Sequence, residues 1–245
     1  MSWEQNIFKH QHIKMFRDKN EIRRNFGYNK YRNVNFCTVS DFELSDEKPN
    51  VFIRHDANEK PYVINKMQEK EYYNDMISTS YLFWDSPHSF NYPLDLNIPL
   101  FKRSEKRFGF EIGYYAWVSP EMSDMEAVSY IRDQINKLND FFDIKSYACK
   151  DINMRQMIGK YMINTGMNNY LTKLSSTNKM KGYMSDSNDG FDFLVSEDHD
   201  ITVVDEMRTE EEKIMWFMET MIDGYVYGIR LIGDYWGKDL LRSFN

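Results

Sequence analysis

This chain of 245 residues has little cysteine, no long apolar run and no excess of basic residues. Its two cysteines, Cys37 and Cys149, are too few for a disulfide framework, so we expect a reducing compartment and predict a cytoplasmic protein. No run of about 18 apolar residues could span a bilayer, and the N-terminus lacks the basic-then-apolar layout of a signal peptide. We therefore expect no membrane partner.

The charge balance is acidic, with a net charge of -7 and a pI near 5.3. Proteins that bind nucleic acid nonspecifically depend on an excess of lysine and arginine, so we expect no nucleic-acid partner. The densest basic cluster, Lys102-Arg103 with Lys106-Arg107, has the spacing of the solvent-facing side of a helix.

Several motifs of cofactor chemistry are also missing from the sequence. It contains no glycine-rich phosphate loop, no recognisable Ser-His-Asp constellation and no Cys-x-x-Cys pair. The sequence therefore gives no support for nucleotide-dependent or redox chemistry, and we expect no cofactor.

Hydrophobic residues, in contrast, make up 42% of the chain and aromatic residues 16%, which is enough for a sizeable core. We see no internal repeat and no low-complexity linker, so residues 1–245 are predicted to form a single domain. Strand-like and helix-like segments alternate, which predicts a mostly parallel sheet with covering helices. The predicted helices are 3–24, 62–76, 96–107, 123–141 and one that begins near 209 and ends before Gly224; the predicted strands are 34–39, 51–54, 78–84, 110–116, 144–148, 169–172, 182–184 and 225–232.

Residues 186–200 are rich in Ser, Asn, Asp and Gly, and we interpret them as a loop that is mobile or lines a site.

Two segments at strand ends carry the most polar chemistry: Arg54-His55-Asp56-Ala57-Asn58, and Gly109 to Tyr115 with the sequence GFEIGYY. They resemble two hallmark segments of the polysaccharide deacetylase family. Four further segments resemble that family in the same order along the chain: Ser78–Phe83, Phe90–Tyr92, Tyr183–Ser187, and Leu231-Ile232 with Tyr235-Trp236-Gly237. The resemblance implies a distorted (β/α) barrel of mostly parallel strands, with its site at the carboxyl ends of the strands.

The resemblance also implies a chemistry whose residues this chain mostly lacks. In active relatives an Asp and two His hold a divalent metal, a second Asp is the general base, and a late His is the general acid. Asp56 matches the base, but Asn58 stands at the metal-ligand Asp and Tyr115 at a metal-ligand His. No His occurs in Ser146–Cys149, and Gly233-Asp234 replaces the late His-Pro. A neutral amide and an un-ionised phenol are poor zinc ligands, so we expect no metal site.

The candidate site residues follow from the same segments. If the protein is active, Asp56 and His55 are the candidate catalytic residues; Asn58, Tyr115, Asp186 and Trp236 are the candidates for substrate binding. Each has a plainer interpretation beside it. His55 either orients Asp56 or is a buried histidine at a strand end, and Asp56 is either a base or a structural carboxylate that accepts hydrogen bonds from Arg54.

Other residues have two interpretations as well. Tyr114, Tyr115 and Trp117 form either a sugar-stacking wall or an aromatic core. Glu111 is more readily explained as a support of the fold than as a pocket acid. His88 is on a predicted loop, where it is a weak candidate to replace a missing group.

Three functions remain open from the sequence. The leading hypothesis is a deacetylase-like protein that has lost the metal-dependent reaction and binds carbohydrate. The second is an atypical active hydrolase of N-acetylated sugars, and the third is a non-catalytic assembly protein that uses its outer surface.

Overall fold

In the computed structural model, the described residues are 34–40, 43–57, 61–73, 75–85, 94–149, 158–159, 161, 168–169, 180–185, 192–195 and 221–232. They include helices α1 (Pro61–Tyr72), α2 (Leu94–Phe108) and α3 (Asp124–Asn139). The strands are β1 (Asn35–Phe36), β2 (Asn50–Ala57), β3 (Ser78–Leu82), β4 (Glu111–Tyr115), β5 (Ser146–Ala148), β6 (Asn168–Asn169), β7 (Met180–Ser185), β8 (Asp192–Val195) and β9 (Val226–Ile232).

All nine strands join one sheet, in the order β6-β5-β4-β3-β2-β9-β7-β8, with β1 paired to the start of β2. Every pairing is parallel except that of β7 with β8. The prediction of a mostly parallel α/β fold is therefore confirmed. Within the described residues, the path of the sheet begins at β6 and ends at β8, and it does not close on itself.

The two faces of the sheet differ because neighbouring residues of a strand point to opposite sides. One face packs against α1, α2 and α3, and its core includes Ile53, Leu82 and Ile112. The opposite face forms a second apolar cluster, which includes Phe52, Tyr81 and Tyr115. We call these the helix face and the inner face of the sheet.

Strand β2 lies at the centre of the sheet, where β9 pairs with it from Asn50 to Asp56 and β3 pairs with its second half. All eight residues of β2 are buried, as expected for a central parallel strand. Three of them are polar side chains capable of carrying charge, Arg54, His55 and Asp56. Each needs a hydrogen-bonding partner, because burial of an unpaired charge is costly.

Hydrogen bonds between Ser123 and Glu126 hold the start of α3. The amide of Glu126 donates to the Ser123 hydroxyl, and the Ser123 amide donates to the Glu126 carboxylate at 2.9 Å. This reciprocal capping box fixes the first turn. The helix predicted over 123–141 is observed as Asp124–Asn139.

One prediction about local structure needs correction. Residues 186–200 were expected to be a loop, but Asp192–Val195 form β8, which pairs antiparallel with β7. Phe193, Leu194 and Val195 favour an extended strand, and the flanking Asp, Ser and Asn residues obscure that signal. The helices predicted over 3–24 and from 209 onward lie outside the described residues. Gly224, just after the predicted end of the second of these, has a positive φ of +81°, a conformation that glycine adopts readily.

None of the described helices has the length and apolar character needed to cross a membrane.

Candidate functional site

The inner face of β2 carries an ion pair between Arg54 and Asp56. The Arg54 Nε donates to Asp56 Oδ1 at 2.6 Å, and its Nη2 donates to Oδ2 at 2.7 Å. Both side chains are buried, with 3% and 0% of their surface exposed. The two residues are two positions apart on one strand, so they project on the same side and the guanidinium meets the carboxylate in the bidentate geometry that arginine favours.

The Arg54 guanidinium also contacts a backbone carbonyl oxygen and two aromatic rings around the ion pair. Its Nη2 donates to the carbonyl oxygen of Cys149, at 3.3 Å. The guanidinium carbon lies 5.3 Å from the ring centroid of Tyr81 and 6.0 Å from that of Tyr115. Aromatic faces stabilise a cation at such distances, so two rings and a carbonyl help to hold the arginine that neutralises Asp56.

Tyr115, one of the candidate binding residues, lies beside this pair. Only 1% of its surface is exposed, and its ring packs edge-on against Phe83 with centroids 4.7 Å apart. Tyr114, on the helix face, is also buried. In this conformation both tyrosines are part of an aromatic core, whereas Trp117, just after β4, is half-buried.

Glu111 forms a second polar centre on the inner face. Its Oε2 accepts from the Thr79 hydroxyl at 3.0 Å and from the Ser40 amide at 2.8 Å, and its Oε1 accepts from the Ser146 hydroxyl. These contacts connect β3, β4 and β5 with the segment after β1. They support the interpretation of Glu111 as a residue that supports the fold.

A close approach between Gly113 and Tyr81 completes the inner face. A Cβ atom at Gly113 would lie 2.5 Å from Tyr81 Cε1, so only glycine leaves room for the ring across β4. The ring reaches over Gly113, and the Tyr81 hydroxyl lies 3.1 Å from Ser146 Oγ. Tyr81 thus contacts Arg54 through its ring and the Glu111 centre through Ser146.

His55 lies on the helix face, away from Asp56. Its Nε2 is 2.9 Å and 3.1 Å from the two carboxylate oxygens of Glu71 on α1, and the Ser78 hydroxyl donates to the same carboxylate at 2.7 Å. One turn earlier on α1, Gln68 donates to Ser80 at 2.8 Å. His55 therefore connects the sheet to α1, and the structure does not bring it together with Asp56.

The other predicted site residues lie outside the described residues: Asn58, Asp186 and Trp236, together with His88. Of the six site residues predicted, the described structure brings Asp56 and Tyr115 together, through Arg54. The sequence did not reveal the roles of Glu71 and Ser146. Their partners, His55 and Glu111, lie on other elements of the fold, and no local motif links the residues of either pair.

The donors on the inner face do not fit a divalent metal. Both oxygens of Asp56 accept hydrogen bonds from a guanidinium, and the Tyr115 phenol is a neutral group that binds zinc poorly. Among the described residues, no group of three His, Cys, Asp or Glu side chains is arranged to hold a metal ion.

The fold and the inner face define this protein as a mostly parallel α/β protein with a buried Arg54–Asp56 pair at the centre of its sheet. No protein-family model matches the chain, and no curated protein or solved structure matches it either.

Proposed function

We propose that this protein is a polysaccharide deacetylase-like protein, built on a distorted (β/α) barrel, in which Arg54 has taken over the place of a divalent metal beside Asp56. The observation that carries the proposal is the bidentate pair, with both carboxylate oxygens held at 2.6 and 2.7 Å. A carboxylate buried at the centre of a sheet needs a cation close by. In an active hydrolase of this family the positive charge comes from a metal held by another Asp and two His, and here it comes from the guanidinium of Arg54.

The substitution changes what the centre can do. A bound metal polarises a carbonyl and lowers the pKa of water, whereas a guanidinium has no open coordination position for a water nucleophile. The Asp56 oxygens are also occupied by Arg54 and fully buried, so the carboxylate is poorly placed to take a proton from water. We therefore expect that the protein has no metal-dependent deacetylase activity.

Carbohydrate binding is the activity proposed to remain, at the carboxyl ends of the parallel strands, where (β/α) barrels and open α/β sheets alike carry their sites. Trp84 follows β3 and Trp117 follows β4, and both are half-buried. Trp84 stacks on Phe141 at 5.5 Å, and Trp117 packs edge-on against Tyr130 at 6.3 Å between centroids. Partly exposed indole rings in such fixed positions suit the apolar face of a pyranose better than the buried ring of Tyr115.

Activity is tested with chitin oligomers and acetylated xylan oligomers in the presence of zinc, cobalt or nickel. The proposal predicts no acetate release above the rate of the Asp56→Asn variant. Release that depends on added metal and is lost in Asp56→Asn, with the fold retained by circular dichroism, would show an active hydrolase instead.

Binding is tested separately by NMR, with N-acetylglucosamine oligomers added to the labelled protein. Chemical shift changes should centre on the Trp84 and Trp117 indoles, and the affinity for the sugar should fall several-fold in Trp117→Ala. Tyr73→Ala is the matched control, because Tyr73 is 71% exposed at the end of α1. If Trp117→Ala and Tyr73→Ala changed sugar binding equally, or if no chemical shift changed at any sugar concentration, the proposal that the protein binds carbohydrate at this site would be wrong.

A further inference from the structure

One side of α2 exposes two leucines and two arginines in a single row. Leu96, Leu100, Arg103 and Arg107 follow one another at intervals of four, three and four residues, which places them on the same side of a helix. Leu96 is 80% and Leu100 46% exposed, and both arginines are exposed as well. We call this row the α2 stripe; it is about 16 Å long, given a rise of about 1.5 Å per residue.

Both guanidinium groups of the α2 stripe are held in place by an aromatic ring. The guanidinium carbons of Arg103 and Arg107 lie 5.0 and 5.7 Å from the centroid of Phe108. Tyr72, at the end of α1, stacks on the same ring with centroids 3.9 Å apart. Side chains that are already ordered lose less entropy when they bind a partner.

The arginines of the α2 stripe make no ion pair with a carboxylate in the part of the chain that the structure describes. Guanidinium groups bind carboxylates in a bidentate manner, so the basic half of the stripe suits acidic side chains. The leucine half suits apolar ones. Arginine and aromatic residues are enriched in protein interfaces, and here Arg103, Arg107, Tyr72 and Tyr73 lie together at one end of α2.

Charge favours a different protein over a second copy of this one. If two α2 stripes pack antiparallel about a twofold axis, with leucines opposite arginines, the two Arg103 side chains come close together at the centre. A separate acidic partner avoids that repulsion. The chain has a net charge of -7, so most of its surface repels an acidic partner. The two arginines attract that partner, which directs it to the α2 stripe.

We propose that the α2 stripe docks an acidic amphipathic helix of another protein. Apolar side chains of that helix pack on Leu96 and Leu100, and carboxylates one turn apart pair with Arg103 and Arg107. A stripe of this length falls at the small end of protein interfaces, so the complex is weak and transient. The inference does not depend on the centre at Asp56.

The test is an NMR titration of the full chain with two synthetic helical peptides. One carries two leucines and two glutamates at the spacing of the stripe, made in both sequence orders, and the other has lysine in place of glutamate. The glutamate peptide should shift amides of α2, while the lysine peptide shifts none. Arg103→Gln with Arg107→Gln should weaken binding about tenfold or more, the loss of roughly 1.4 kcal/mol.

Two controls separate docking from loss of folding and from general charge effects. Arg103→Lys with Arg107→Lys keeps the charge but loses the bidentate contact, so its affinity should fall between those of the wild type and the glutamine variant, and the urea midpoints of all variants should agree. Lys66→Gln removes an exposed charge of α1, where Lys66 pairs with Glu69 at 3.1 Å, and should leave binding unchanged.

Four results would overturn the proposal. Equal binding of both peptides, or an equal effect of Lys66→Gln, would show that charge alone attracts the peptide. Shifts of α2 amides with phosphatidylserine vesicles but with neither peptide would identify a membrane surface as the occupant. Sedimentation as a dimer that Leu100→Gln dissociates would identify a second copy.

Discussion

The imidazole of His55 and the carboxylate of Glu71, 16 residues apart in the chain, meet beneath the sheet at 2.9 Å. Both side chains are fully buried, and the contact holds α1 against the centre of the sheet. Glu71 also accepts from Ser78 on β3, so one carboxylate joins β2 and β3 to the helix.

Removing Glu71 should therefore destabilise the whole domain. Glu71→Ala leaves the buried His55 and Ser78 donors without their acceptor, and we expect a loss of about 3–5 kcal/mol in the free energy of unfolding. Urea denaturation measures the loss. Glu69→Ala, on the same helix but partly exposed, is the control and should cost less than about 1 kcal/mol. Similar losses for both variants would show that the buried contact contributes little.

The Arg54–Asp56 pair should respond differently to single and double substitution. Arg54→Met leaves Asp56 buried without its cation, and Asp56→Leu leaves Arg54 without its carboxylate, so each should cost about 3–5 kcal/mol. The double variant removes both charges together and should be much closer to the wild type than the sum of the two losses predicts. Urea denaturation of all four proteins measures the coupling energy. Additive losses would mean that the two groups do not depend on one another.

Gly113 should not tolerate even one added methyl group. In Gly113→Ala the new Cβ would meet Tyr81 carbons at 2.5 and 2.7 Å and the Ser146 carbonyl oxygen at 3.0 Å. The expected cost is about 1–3 kcal/mol, measured by thermal or urea unfolding. Gly159→Ala is the matched control, because nothing lies within 4 Å of a Cβ built there. Tyr81→Leu should relieve part of the cost in the double variant, and its failure to do so would place the strain in the backbone.

Burial of the Cys37 thiol predicts a loss of stability in alkaline solution. Burial raises the pKa of this thiol from 9.0 to about 12, so the folded protein keeps the proton that the unfolded chain releases. The resulting stabilisation is fully present below about pH 9 and is lost as the pH rises toward 12. The difference in unfolding free energy between the wild type and Cys37→Ala should thus shrink above about pH 9. A difference that stays constant to about pH 10.5 would mean that the thiol is accessible.

The sequence predicted the architecture well where the pattern was local. The compact apolar run before Arg54 predicted a strand, which is observed as the buried strand β2, and the helix predicted over 123–141 is observed as α3. It failed at β8, where Asp192 and the polar residues around it hide a short strand.

The candidate site was less predictable, because its contacts cross the fold. Arg54 and Asp56 are two positions apart, and their pairing is one of the two interpretations of Asp56 that the sequence offers. The partners of His55 and Glu111 come from other elements, and nothing in the local sequence indicates which of the many acidic or hydroxyl groups they are.

The central claim, that Arg54 occupies the place of a metal beside Asp56, is tested most directly by anomalous diffraction at the zinc edge from crystals equilibrated with zinc. The account predicts no anomalous peak beside the Asp56 carboxylate, either at ligand distance, about 2.0–2.2 Å, or separated from it by one bound water, and a guanidinium paired with the carboxylate instead. A zinc ion at either place, with Arg54 turned away from the carboxylate, would contradict the account.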